Sequence, residues 1–233
     1  MKKLISYLSV FLLMLATCTT LYSCLDLDDD NDNNTAFSIG TIKIIQGRDY
    51  YFALDSGEKM YPSDTTRVHN YPLVDGQRVF IYFRPLDQKI SGYDYNVQLY
   101  QLNNILTKNI IPLTAATADS IGDDRINATN MWITDRFLNI EYQIYSSDNP
   151  TKKHMLNLVI NKTKGSSSDN ADYIDLELRH NAFNDSGTLL SWGVVSFRLN
   201  EIANQLPGKK GLKVRFNSIY DGERFTTVKI TDK

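Results

Sequence analysis

Of 233 residues, 42% are apolar, and 25 basic residues face 27 acidic ones, so the chain can bury a core and is not disordered. The first 23 residues read as an export leader that removes Lys2 and Lys3, leaving 210 residues, enough for one large β domain or two of ~100 residues each. From Ala36 onward 23 basic residues face 22 acidic ones, which lacks the positive field of a nucleic-acid binder. Both cysteines, Cys18 and Cys24, precede that body, which excludes structural disulfides, a zinc–cysteine site and a cysteine nucleophile within it.

In chain order, Met1-Lys2-Lys3 gives a positive start, followed by a mostly apolar stretch from Leu4 to Leu15 broken only by Ser6 and Ser9. This is the layout of a secretory signal peptide, shorter than a membrane span of ~20 residues. Leu21-Tyr22-Ser23-Cys24 then resembles a bacterial lipobox, with an aliphatic residue at −3, a small one at −1 and the cysteine to be lipidated. The Cys24 thiol takes a diacylglyceryl group, the peptidase cuts before it, and the new N-terminus accepts a further acyl chain such as palmitate. Each buried CH₂ contributes ~0.8 kcal/mol, so several chains anchor where one does not. Cys18 fits less well, with Thr17 at −1 and a truncated apolar segment before it.

Five acidic residues and no basic one lie between Asp26 and Asp32, so residues 24–35 read as a solvated, flexible tether. Asp26, Asp28 and Asp30 alternate as in an EF-hand loop, but Asn31 stands at the glycine position and Phe37 at the twelfth. An acidic run directly after the lipidated cysteine also resembles the export signal of surface lipoproteins in Bacteroidota-type bacteria. That resemblance implies the outer face of the outer membrane.

The body reads as β throughout. Period-two alternation puts Leu138, Ile140, Tyr142 and Ile144 on one face, and likewise Ile174, Leu176 and Leu178, then Val195, Phe197 and Leu199, then Leu212, Val214 and Phe216. Further strands are expected at Ser38–Gln46, Tyr50–Leu54, Val79–Arg84, Tyr95–Leu102, Met155–Asn161 and Thr226–Thr231. Val79-Phe80-Ile81-Tyr82-Phe83 is apolar on both faces and predicts a central strand covered twice. Helix signals are confined to Asn200–Leu206, capped by Asn200 and stopped by Pro207-Gly208. The segment from Pro112 to Asn130, without sustained alternation, reads as an interdomain connection, and Gly165–Asn170 as a hairpin loop.

This order of features resembles the NigD-like lipoprotein family. The resemblance is carried by the lipobox with its acidic tail, Gly76-Gln77-Arg78-Val79-Phe80-Ile81-Tyr82-Phe83, Gly92-Tyr93-Asp94-Tyr95-Asn96-Val97-Gln98-Leu99, Ile105-Leu106-Thr107-Lys108, Trp132-Ile133-Thr134-Asp135-Arg136-Phe137-Leu138-Asn139-Ile140 and Val195-Ser196-Phe197-Arg198-Leu199. It spans nearly the whole mature chain. It implies an all-β protein with an OB-like N-terminal β-barrel (36–112), a linker (113–130) and an immunoglobulin-like β-sandwich (131–233). The family's usual label, bacteriocin immunity protein, implies a protein toxin as partner.

Catalytic signatures are weak. His69 lies in a polar turn, His154 opens a strand and His180 ends one, with no His-Glu-x-x-His, no paired histidines and no Gly-x-Ser-x-Gly elbow. No phosphate loop is present, and no catalytic, cofactor-binding or metal-ligating residue is assigned; Cys24, for lipidation, is the one site residue. Asp175 and Glu177 read as the solvated side of a strand. Tyr93, Tyr95, Tyr100, Trp132 and Trp192 offer a sugar-stacking platform, against which stands the general use of aromatic residues as strand formers and core fillers.

Lys209, Lys210, Lys213, Arg215, Arg224, Lys229 and Lys233 form a local basic excess that reads as a solvated face, so no nucleic acid is expected as a partner despite the OB-like fold. Asp64-Thr65-Thr66 and Asp119-Ser120-Ile121 resemble the O-glycosylation signal of the same bacterial group. The expectation is a non-enzymatic lipoprotein on the outer membrane, exposed at the cell surface, that binds a protein partner in bacteriocin immunity. The alternative is a glycan-binding or envelope-assembly accessory.

Overall fold

A computed structural model describes residues 35–149, 151–163 and 172–230. The signal peptide, Cys24, the acidic tether and the Gly165–Asn170 loop lie outside the described residues.

Alternation builds the first half. Strands β1 (Ala36–Gln46), β2 (Asp49–Leu54), β3 (Lys59–Asp64), β4 (Arg78–Pro85) and β5 (Tyr95–Asn104) close into a barrel in the order β1-β2-β3-β5-β4. Neighbours pair antiparallel except β3 and β5, which run parallel, the closure that removes free edges. Ile42, Phe52, Met60, Val79, Ile81, Val97 and Leu99 point inward and are fully buried. Gly40 on β1 faces the Ala53 carbonyl of β2 so closely that a Cβ would sit 2.9 Å from its oxygen. The expectation that Val79–Phe83 is covered twice is corrected here. Val79, Ile81 and Phe83 fill the barrel, whereas Phe80 and Tyr82 point outward and are only partly covered, with Phe37 ring centroids at 5.5 and 5.3 Å.

Two sheets form the second half. One has the order β14-β13-β11-β10-β7, from β7 (Ile111–Leu113), β10 (Met155–Asn161), β11 (Tyr173–Asn181), β13 (Gly211–Ser218) and β14 (Gly222–Lys229). The other has the order β6-β12-β9-β8, from β6 (Leu106–Asn109), β8 (Asn127–Thr134), β9 (Phe137–Ser146) and β12 (Leu189–Arg198). Their inner faces share one core of Leu138, Ile140, Leu158, Leu176, Leu178, Val195, Phe197, Leu212 and Val214. The helical signal after Asn200 appears as a 3₁₀ segment, Leu199–Gln205, which pins Leu199 and Ile202 into that core.

The strands divide differently from the sequence boundaries. β6 and β7 follow β5 almost at once and already belong to the sandwich, one to each sheet. The segment expected as a linker holds a single helical turn, Ala118–Ile121, and the start of β8. The turn packs Ile121 against Leu113 and Val159 on the outside of the five-stranded sheet. Alternation fails there because the segment is short, crosses between sheets and covers a strand edge.

Arg78 joins the halves. It begins β4 pointing out of the barrel, opposite Thr41, and is 0% exposed. Its guanidinium forms a two-pronged ion pair with Asp55 at 2.5 and 2.6 Å, and donates to Thr41 Oγ1 at 3.2 Å within the barrel. Across the joint it donates to Asn139 Oδ1 at 2.9 Å and Ser196 Oγ at 3.4 Å, and lies 5.4 Å from the Phe137 ring centroid. Trp132 Nε1 donates to the same Asp55 carboxylate at 2.7 Å. A buried charge stripped of its partner costs about 3–5 kcal/mol. Arg78→Ala is therefore expected to lower unfolding free energy by ~3–5 kcal/mol in urea denaturation, and Trp132→Phe, which loses one bond to a charged group, by about 1.5–3 kcal/mol.

Candidate functional site

The outer face of the four-stranded sheet is set by the same alternation that fills its inner face. Register places Ser196 opposite Asn139, Val194 opposite Glu141, Trp192 opposite Gln143 and Leu190 opposite Tyr145. One end of this face, with Asn139 and Ser196, is covered by the barrel at Arg78. The other end is open: Trp192 is 54% exposed, Tyr145 45% and Leu190 44%. Polar groups flank the patch. Asn127 Nδ2 donates to Gln143 Oε1 at 3.2 Å, and Thr129 Oγ1 to Glu141 Oε1 at 2.9 Å.

The loop entering this patch, residues 182–188 between β11 and β12, is tied down by Asp185. Its Oδ2 accepts from the Ser147 backbone N–H at 2.9 Å and the Ser147 hydroxyl at 3.0 Å, and lies 3.0 Å from His154 Nε2. His154 Nδ1 lies 2.8 Å from His180 Nε2, with the rings stacked at 5.0 Å. The sequence showed no paired histidines. The pairing arises from β-register, since Leu156 sits opposite His180 in the β10–β11 ladder and brings His154 to the ring beyond it. Those two strands are recognisable in sequence, but their mutual register is not.

The hydrogen bond to His154, followed by those from Ser147, holds the Asp185 carboxyl well below the usual carboxylate range. Desolvation pushes His180 down, keeping its ring neutral. Burial moves the Tyr142 phenol up, and the Tyr50 phenol up to about 12, as both rings insert into their domain cores.

The other candidates disperse. Trp132 is spent at the domain joint. Tyr93 packs against Tyr61 at 4.9 Å and Tyr51 at 5.7 Å, and Arg67 lies 4.2 Å over the Tyr100 ring. Tyr95 is exposed on the barrel and Trp192 on the sandwich, so the five aromatic residues do not share one platform. His69 lines a cleft of about 260 Å³ with Arg67, Tyr71 and Tyr100. Thr65 is half-buried beside the 3₁₀ turn Thr66–Val68, and Ser120 is exposed on the single helical turn, its hydroxyl donating to the Thr117 carbonyl.

Glu177 departs from the expected solvated face, whereas Asp175 is exposed. Glu177 is buried, accepting from Asn161 at 2.8 Å and pairing with Arg179, while Arg179 and Arg215 converge on Asp123. Much of the basic excess is neutralised locally. Arg215 also meets Glu223 at 3.0 Å, Lys210 meets Asp172 at 2.6 Å, Arg224 meets Asp221, and Lys213 lies 4.8 Å over the Phe225 ring.

The model of the NigD-like N-terminal OB domain matches residues 39–105, and that of the NigD-like C-terminal β-sandwich domain matches residues 109–230. The chain belongs to the NigD-like family. Solved structures of similar architecture include a protein of unknown function from Bacteroides vulgatus, 29% identical, with a TM-score of 0.71, covering 85% of this chain and 92% of its own. A protein described as toxin-related, from Parabacteroides distasonis, is 26% identical, with a TM-score of 0.69 and coverage of 85% and 94%. A NigD-like immunity protein from Bacteroides caccae shares the fold at 18% identity, with a TM-score of 0.61 and coverage of 85% and 94%. Among curated proteins, none matches. Both domain matches agree with the strand division, the barrel ending at β5 and the NigD-like sandwich beginning within β6.

A carboxyl whose folded pKa is depressed adds stability above its unfolded pKa, and that stability is lost as pH falls through the folded value. Acid titration of unfolding is therefore expected to show NigD-like wild type losing stability below about pH 4 more steeply than Asp185→Asn, with the two curves converging in acid.

Proposed function

We propose that this NigD-like protein is a non-enzymatic lipoprotein, anchored through Cys24 on the outer face of the outer membrane, that binds a protein toxin and acts in bacteriocin immunity. The observation that carries the reading is the open end of the four-stranded sheet, where Leu190 and Tyr145 face each other on one rung and Trp192 stands exposed on the next rung of the same face. Protein interfaces concentrate affinity in such aromatic and aliphatic centres ringed by polar groups, and Gln143, Asn127, Glu141 and Thr129 supply the ring. The lipobox supports the anchor, and the Bacteroides caccae immunity protein of the same fold supports the role. His154 and Asp185 have side chains only 9% and 3% exposed, which favours a structural over a hydrolytic use of that cluster.

Host cells making the wild type are expected to survive a competing strain's supernatant that kills cells making Trp192→Ala with Leu190→Ser. The toxin should bind the immobilised variant body (residues 35–233) at least ~30-fold more weakly, the scale of a lost interfacial centre. Equal protection by the variant counts against this surface. Envelope polysaccharide retained through Trp192 would instead favour the glycan-binding alternative. Cys24→Ala is expected to leave the protein unlabelled by fatty acid and absent from the membrane fraction in its processed form.

A further inference from the structure

The four nitrogens of His154 and His180 allow their protons to be counted. The outer two face groups that only accept: His180 Nδ1 lies 2.9 Å from the Arg125 carbonyl, and His154 Nε2 lies 3.0 Å from Asp185 Oδ2. Asp185 also receives the Ser147 amide and hydroxyl, and its other oxygen the Gly187 amide at 3.3 Å, so it is an ionised acceptor and not the proton's source. Both outer nitrogens therefore carry hydrogen. The inner pair, 2.8 Å apart, needs one more between them. Three protons on two imidazoles amount to one positive charge. With only two protons, one of the three contacts would set acceptor against acceptor. Because the Asp185 carboxylate lies against His154 and His180 is the more deeply buried ring, the charge rests on His154.

The loop that this chain secures is under strain. Phe183 and Asn184 have φ of 48° and 60°, and a bulky residue such as Phe in that region is uncommon. Gly187 lies against the end of β9 so closely that a Cβ would overlap the backbone of Ser146 and Ser147. The groups facing the pair are Asp185 from the loop itself, Ser147 from the end of β9, and Asp124 with the Arg125 carbonyl from the segment before β8. Asp124 Oδ2 accepts from the Ala182 amide at 2.8 Å, and the Arg125 guanidinium turns away to the Ile219 carbonyl. Lys152 and Lys153, ahead of His154, are exposed.

We propose that the His154–His180 pair is a proton-operated clamp: its one shared proton fastens the β11–β12 loop to the end of β9 through Asp185, and losing that proton frees the loop and the apolar residues of β12 that follow it. The clamp regulates the docking patch only insofar as that patch is the binding surface proposed above. Its own existence does not depend on a partner. The hydrogen-bond chain from the Arg125 carbonyl to Asp185 is complete only in the singly charged pair, so closing it takes up a proton and the clamp opens as pH rises.

The test uses the body from residue 35 to 233 without any partner. Long-range ¹H–¹⁵N spectra at pH 7 are expected to show both His154 nitrogens protonated and His180 protonated at Nδ1 alone. Amide exchange across 182–192, corrected for intrinsic rate, should accelerate at least tenfold between pH 6 and pH 9 in the wild type. In His154→Gln it should show no such step. A His154 with one bare nitrogen at pH 7, or wild-type protection that is flat with pH, overturns the clamp. Either result leaves the toxin-protection experiment to decide the docking surface separately.

Discussion

A buried guanidinium is the centre of the joint between the two halves. Arg78 belongs to the barrel by sequence and strand, yet two of its acceptors, Asn139 and Ser196, belong to the sandwich. A fully buried charge is tolerated only when its donors are matched, and here Asp55 supplies the countercharge and the carbonyl and hydroxyl oxygens fill the rest. The network is reciprocal. Ser196 Oγ donates to Asn139 Oδ1 at 2.7 Å, and Trp132 donates to Asp55, so each polar group at the joint is held by another. An apolar joint would tolerate sliding, whereas this one fixes a single seating.

That seating divides the outer face of the four-stranded sheet. β9 and β12 run from under the barrel to the open end, so the covered residues Asn139 and Ser196 and the exposed residues Tyr145 and Trp192 are successive members of the same alternation. Strand geometry advances ~3.3 Å per residue, which puts Trp192 ~13 Å from Ser196. The barrel shields one end and leaves the other free without any change in the strands themselves. The His154–Asp185 chain then governs the far end, where the strand gives way to a strained loop.

Much of this was legible in the sequence. The alternations of β9, β11, β12 and β13 appear where period two placed them, and the family resemblance supplied the order of barrel and sandwich. Three kinds of information were not local. β6 and β7 are too short to show a period, so their transfer to the sandwich was hidden. The Arg78 joint pairs residues 118 positions apart, as with Ser196, and nothing in the spacing announces it. The two histidines, 26 positions apart, meet only through the register of two strands, which patterning of either strand alone does not determine. Glu177 shows the converse: a charged residue on the outer side of a strand reads as solvated, whereas in the fold two arginines and an aspartate close over it.

The short strands at the start of the sandwich also impose an order in time. The barrel needs only residues 36–104 to close. β6 finds its partner in β12, with Leu106 beside Val195, and β7 finds its own in β10. In a chain that emerges from its N-terminus, the first domain can be complete while the first two strands of the second still wait for most of the sequence. Loop closure over such distances is slow. Until it happens, Arg78 lies on the barrel's outer surface with only Thr41 and Asp55, and water supplies the remaining acceptors. Docking of the sandwich dries that one side chain, and a molecule with its halves apart differs from the finished one by a wet arginine.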